Sequence, residues 1–134
     1  ESKLRFKLCQ FHPFNPKCIN QYVHHIQQHK YKVYLALSGY KPWVYTIINF
    51  VLFRPAEMVR NGIIKHNANV KLIGVKGSEK YKFLGFSHNM LHDKEDINFC
   101  KNIGLDYRIP QSNEEVRKVI EETYNSPKSF YVRL

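Results

Sequence analysis

Three of the seven histidines, His24, His25 and His29, fall within one stretch that has neither proline nor glycine. On a helix His25 and His29, four positions apart, share a face and could jointly grip a metal ion. No acidic or cysteine residue stands near them, and two ligands fall short of a zinc site, so solvated histidines are the plainer reading. The cysteines Cys9, Cys18 and Cys100 are odd in number and form no Cys-x-x-Cys pair. That argues against a disulfide framework and a zinc knuckle, and for free thiols in a reducing compartment. Lys30-Tyr31-Lys32-Val33-Tyr34 and Lys80-Tyr81-Lys82-Phe83 interleave basic and aromatic side chains. Such runs can stack bases and neutralise phosphates, but no nucleic-acid module surrounds them, which makes nucleic acid a weak candidate.

Lysine and arginine number 21 against 11 acidic residues, for a net charge of +10. This suits an acidic or phosphorylated partner, although much of the lysine can be plain solvated surface. The 134 residues are 43% apolar and 14% aromatic, enough for one domain with one core. No apolar run reaches the roughly 18 residues of a membrane span. The opening ESKLRFKLCQ has no apolar signal region, so a cytoplasmic location is the expectation.

Whatever chemistry exists must be positioned by alternating elements. Gln21 to Leu37 reads as a helix ended by Gly39, and Trp43 to Ile48 as a β-branched, aromatic strand. A second helix is expected from Pro55 to Lys65, with proline in the first turn where its missing N–H costs nothing. A strand follows at Val70 to Val75, then a polar loop from Lys76 to His88. Next come a helix from Asp93 to Asn102 and a strand from Leu105 to Ile109. Ser112 with Glu115 three residues on forms a capping box, and Val116, Val119, Ile120 and Tyr124 form the apolar stripe of the helix that follows. Ser129 to Arg133 closes the series as a strand. This alternation predicts a three-layer α/β fold, a mostly parallel sheet with helices on both faces. Ligands of such sheets lie beyond the strand carboxyl ends, here the loops after Ile48, Val75 and Ile109.

Those segments carry a resemblance. Leu35-Ala36-Leu37-Ser38-Gly39-Tyr40-Lys41-Pro42 with Val44-Tyr45-Thr46 resembles the helix-to-strand passage of the pyrimidine-binding domain of transketolase-like thiamine diphosphate enzymes. Thr46-Ile47-Ile48-Asn49-Phe50, then Arg54, Glu57 and Arg60, is similar to the family's Thr-Phe-x-x-Phe segment and the helix after it. Gly74-Val75-Lys76-Gly77, Leu84-Gly85-Phe86-Ser87-His88 and Glu95-Asp96-Ile97 are similar to its glycine loop, Gly-x-Thr-His element and Glu-Asp-Ile helix start. Tyr131-Val132-Arg133-Leu134 looks like its final strand. The order and spacing of these pieces from Leu35 to Leu134 carry the match, while residues 1–34 diverge. One pyrimidine-binding-like domain over 1–134 is the expected organisation, of the C-terminal subunit type of split transketolases.

The resemblance implies thiamine diphosphate bound between two domains, commonly across a dimer, with magnesium and the diphosphate held by a partner domain. It assigns Phe50 to stacking on the cofactor ring, Ile47 to an apolar wall, and His88 and Asp96 to the sugar substrate. The family's catalytic glutamate falls fourteen residues before the glycine of Leu-Ser-Gly, which here reaches His25. A carboxyl there shares a proton with the ring nitrogen, and a histidine differs in both pKa and shape. No catalytic residue is therefore assigned with His25 in that place. The chain also has nothing like the Gly-Asp-Gly diphosphate motif, so the expectation is a subunit or fragment, not a complete enzyme. Two functions follow. One is a transferase component supplying the pyrimidine half of a site for ketol transfer between sugar phosphates, assembled as a homodimer or with a diphosphate-binding partner. The other is a catalytically inactive relative or fragment acting as an interaction domain.

Overall fold

A computed structural model describes residues 29–77 and 79–134. The expected alternation is present. A helix over 29–37 (α1) leads to strand β1 (Trp43–Ile47). Two wide-turned helical pieces, Asn49–Phe53 and Met58–Ile64 (together α2), precede β2 (Lys71–Val75). Helix α3 (Glu95–Ile103), β3 (Asp106–Arg108), α4 (Asn113–Asn125) and β4 (Phe130–Arg133) complete the order. The four strands form one all-parallel sheet in the order β1-β2-β4-β3, in a three-layer α/β arrangement. The inner strands β2 and β4 are almost wholly buried, and the edge strands are not. Parallel strands covered on both faces read as continuous apolar runs, and both inner strands have that character.

Val33 of α1, Val51, Leu52, Val59 and Ile63 of α2, Leu72 of β2, Cys100 of α3 and Tyr131 of β4 make one core. Gly39, at φ 93°, ends α1 as expected: its N–H reaches Ala36 O while the Tyr40 N–H reaches Leu35 O. Burial pushes the Cys100 thiol up to about 12, an inert group inside the core.

Three expectations need correction. Pro55 does not open the second helix, because helical turns begin already at Asn49. The Arg54 N–H bonds Asn49 O and the Lys65 N–H bonds Arg60 O, five residues back rather than four. Such widened turns let the chain pass a proline that has no N–H and crowds the carbonyl before it. The polar segment after β2 is not a plain loop but a run of tight turns over Glu79–Ser87, broken at Gly85 (φ 61°, ψ −150°), a conformation open in practice to glycine alone. In α4 the fully buried residue near the end is Thr123, while Tyr124 is 56% exposed with the Lys41 ammonium 5.1 Å from its ring.

Among the described residues two charged side chains are wholly buried, Lys71 and Asp96, at opposite ends of the sheet. Lys71 opens β2, and its Nζ donates to Ser126 O (2.8 Å) and Lys128 O, just beyond α4. Burial, with Lys41 adding repulsion, lowers its pKa to about 8.

Candidate functional site

At the carboxyl ends of β1 and β2 the chain surrounds an open cleft of about 640 Å³. Ile48 and Asn49 come from the end of β1, Lys76 and Gly77 from the end of β2, and Phe86 and Asn89 from the segment after it. This is where two of the three expected loops lie. Basic groups gather at the rim, with Lys82 and His92 also lining it. The only carboxylate among the described lining residues is Asp93, which Lys76 holds at 3.0 Å. The Lys76 hydrogen bond and charge keep Asp93 below the ordinary carboxylate range.

Behind the cleft stands a second group. The Phe50 ring meets the His88 ring edge-on, centroids 5.1 Å apart, and the Arg54 guanidinium lies 4.0 Å from the Phe50 centroid. Ser87 Oγ is 2.7 Å from His88 Nδ1. Burial first, and the Arg54 charge second, lower the His88 pKa to about 4, so its imidazole is neutral near pH 7. A neutral ring can exchange hydrogen bonds with a hydroxyl but brings no charge to a phosphate.

Of the residues singled out by resemblance, the structure thus brings Phe50 and His88 together. Neither lines the cleft itself, though each adjoins a residue that does, Asn49 for the one and Asn89 for the other. Phe50 is only 3% exposed. Ile47 ends β1, half-buried and paired with Val75, and it is the next residue, Ile48, that reaches the cleft. Asp96, in the first turn of α3, is wholly buried. Its carboxylate accepts from Tyr131 OH at 2.6 Å, from Arg133 Nη1 at 3.0 Å and from the Ile97 N–H at 2.9 Å. Burial and the Asp96 hydrogen bond push the Tyr131 hydroxyl far above its ordinary pKa, so it stays a donor. Gly74 makes this cluster possible, since a Cβ there would stand 2.9 Å from the Tyr131 ring. His25, like His24, lies outside the described residues. His29 is buried in α1 with Nε2 3.1 Å from Val51 O, a packing role within the fold. Among the described residues no three metal-ligating side chains converge.

Sequence reasoning passes over Asn49 and Asn89. The available signal is Asn49 itself, a polar residue inside the apolar run Ile47-Ile48-Asn49-Phe50-Val51, which needs a partner if buried.

As a fit for the implied cofactor, the described residues offer walls but no proton-shuttling carboxylate. Ile48 and Met90 give apolar surface, and Phe50 gives an aromatic ring at present covered by Arg54. They can hold a ring; they do not by themselves supply acid–base chemistry to it. Among the described residues no helix is long and apolar enough to cross a membrane.

No known family profile matches the chain. It is 31% identical over 100 residues to one of the subunits of the apulose-4-phosphate transketolase of Phocaeicola vulgatus, a match covering 75% of this chain and 31% of that protein. In fold it is similar to a split-gene transketolase solved as an inactive beta4 tetramer, with a TM-score of 0.70 and 21% identity over 82% of this chain and 34% of that one. The chain thus spans about a third of the length of each.

Proposed function

Since the chain belongs to the transketolase-like family, we propose that residues 1–134 form one pyrimidine-binding-like domain, divergent over 1–34, of a split transketolase. In this reading it supplies the pyrimidine half of a thiamine diphosphate site for ketol transfer between sugar phosphates. The observation that carries the reading is the cleft at the β1 and β2 carboxyl ends, basic at its rim, with Phe50 and His88 packed together beside it. A partner chain or domain holds magnesium and the diphosphate. When bound, the cofactor supplies the nucleophilic carbon for the transfer. Ile48, which reaches the cleft where the resemblance points to Ile47, walls its ring, and Phe50 backs that wall with the Arg54 guanidinium on its own face. His88 orients sugar hydroxyls as a neutral hydrogen-bonding group, and Lys76 and Lys82 attract the phosphate. Asp96, closed off from solvent together with Tyr131, does not touch sugar itself and serves that substrate role only through Arg133.

The second reading, an inactive interaction domain, is favoured by one specific combination: histidine at position 25 and a guanidinium on the Phe50 face. The relative in fold is described as an inactive beta4 tetramer. On this second reading the chain self-associates and gives no turnover with any partner.

The deciding experiment is calorimetric titration with thiamine diphosphate and magnesium, for the chain alone and mixed with the diphosphate-binding subunit of a split transketolase, followed by a ketol-transfer assay. Saturable binding and turnover only in the mixture support the transferase component. Binding and turnover that stay absent in the mixture, and are not gained by His25→Glu, sink it in favour of the interaction domain.

A further inference from the structure

The segment that carries His88 is held from outside itself. Asn49, nearly buried at the start of α2, donates through Nδ2 to Phe86 O at 2.8 Å and to Asn89 O at 3.3 Å. One widened turn onward, Arg54 Nη2 donates to Ser87 O at 3.2 Å. Three carbonyls of one short segment, 86, 87 and 89, are therefore gripped by two side chains from the element that follows β1. Inside the segment Ser87 Oγ donates to Leu84 O and contacts His88 Nδ1, and the His88 and Asn89 amides both donate to Gly85 O. Gly77 presses close as well, since a Cβ there would meet His88 O and Asn89 Oδ1 at 3.0 Å.

We propose that Asn49 and Arg54 are positioning residues that dock the 84–89 segment onto the first turns of α2 and thereby fix the His88 ring against Phe50. The inference deepens the reading above, because the docked segment is the one that carries the proposed substrate-orienting histidine. The logic is one of shared anchoring. Phe50 lies between Asn49 and Arg54 in sequence, so the same helical turns that present the aromatic ring also hold the histidine's backbone. A shift of these turns moves both rings together, and their relative geometry is kept. Arg54 contributes twice, once through its hydrogen bond to Ser87 O and once through its charge near the imidazole. Tight turns around a left-handed glycine have little regular backbone pairing of their own, so side-chain anchors decide how often they open.

The test uses the full chain without cofactor, by hydrogen exchange and by NMR titration of 13C-labelled histidines. Asn49→Leu keeps the side-chain volume and removes the donors; Asn49→Ser is the second variant should the first fail to fold. The expected result is exchange of the His88 and Asn89 amides about tenfold faster, with β2 and β4 amides unchanged. In Arg54→Gln the His88 midpoint rises only part of the way from about 4, because burial, the larger cause, remains, whereas Arg54→Lys, which keeps the charge, leaves it low. Exchange at 88 and 89 that does not change, or that quickens equally over the strands, overturns the proposal, as does a His88 midpoint unmoved in Arg54→Gln. No readout depends on turnover, so a failed ketol-transfer assay and a failed docking test are separate results.

Discussion

The two ends of the sheet bury a charge each and solve the problem in opposite ways. At the amino ends of the strands Lys71 is held by backbone: the carbonyls of Ser126 and Lys128 take its protons, and its pKa falls to about 8. At the carboxyl ends Asp96 has Arg133 and Tyr131, an opposite charge and a fixed donor. Carbonyls beyond a helix end give a cation partial compensation, whereas a paired, hydrogen-bonded carboxylate is compensated in full. The closed end thus carries a charge that the fold tolerates. The open end carries one that it relies on, tied through Arg133 to the Asp93 carbonyl at the cleft.

The largest effect that separates the two ends is expected from Asp96→Ala. It strands Arg133 and the Tyr131 hydroxyl, and should cost about 3–5 kcal/mol in urea unfolding. A loss below about 1 kcal/mol would mean the cluster is ornamental. At the other end the signature is pH. Lys71 in the folded chain releases its proton near pH 8, against 10.5 unfolded, so between those values the unfolded state binds more protons and stability climbs with pH. Urea midpoints of the wild type relative to Lys71→Met should rise across that window and flatten above it; a level difference would show a lysine that is not desolvated. His88 obeys the same sign in a lower window. Its folded pKa near 4 lies below 6.5, so its contribution is complete above pH 6.5 and is lost as pH falls through 4. Because the ring is half-exposed, the acid-side difference from His88→Gln should be the gentler of the two. Ser112→Ala touches neither end and serves as the reference. Losing the hydrogen bond from the Glu115 N–H to Ser112 Oγ should cost about 1 kcal/mol, with both pH windows unmoved.

What the sequence discloses follows the reach of each interaction. The Ser112 cap, the Gly39 stop and the buried strands β2 and β4 are specified by neighbours within a few residues, and all are as expected. The capping box is half-realised: Ser112 accepts from Glu115, but the Glu115 carboxylate takes the Gln111 N–H. Lys71 is not legible as a buried residue, because its acceptors lie 55 and 57 positions away. Asp96 reads in sequence as a substrate or helix-start carboxylate, and nothing local announces Tyr131 and Arg133, 35 and 37 positions on. The site residues Phe50 and His88 come from resemblance alone; their contact joins two segments that no periodicity links. Pro55 misleads because a proline inside a helix is ordinarily excluded, and the widened turns that admit it leave no mark in composition.

The strand order carries a consequence for synthesis. β4 follows β3 in sequence, yet it lies between β2 and β3 among the described strands. While the ribosome is still adding residues before Phe130, β3 has no hydrogen-bonding neighbour in the sheet, and Asp96 lacks both Tyr131 and Arg133. The nascent chain can pair β1 with β2 but cannot complete its sheet until Arg133 has left the exit tunnel. Over that interval the unfinished edge of β2 stays open to other chains, and chaperone cover is most needed there.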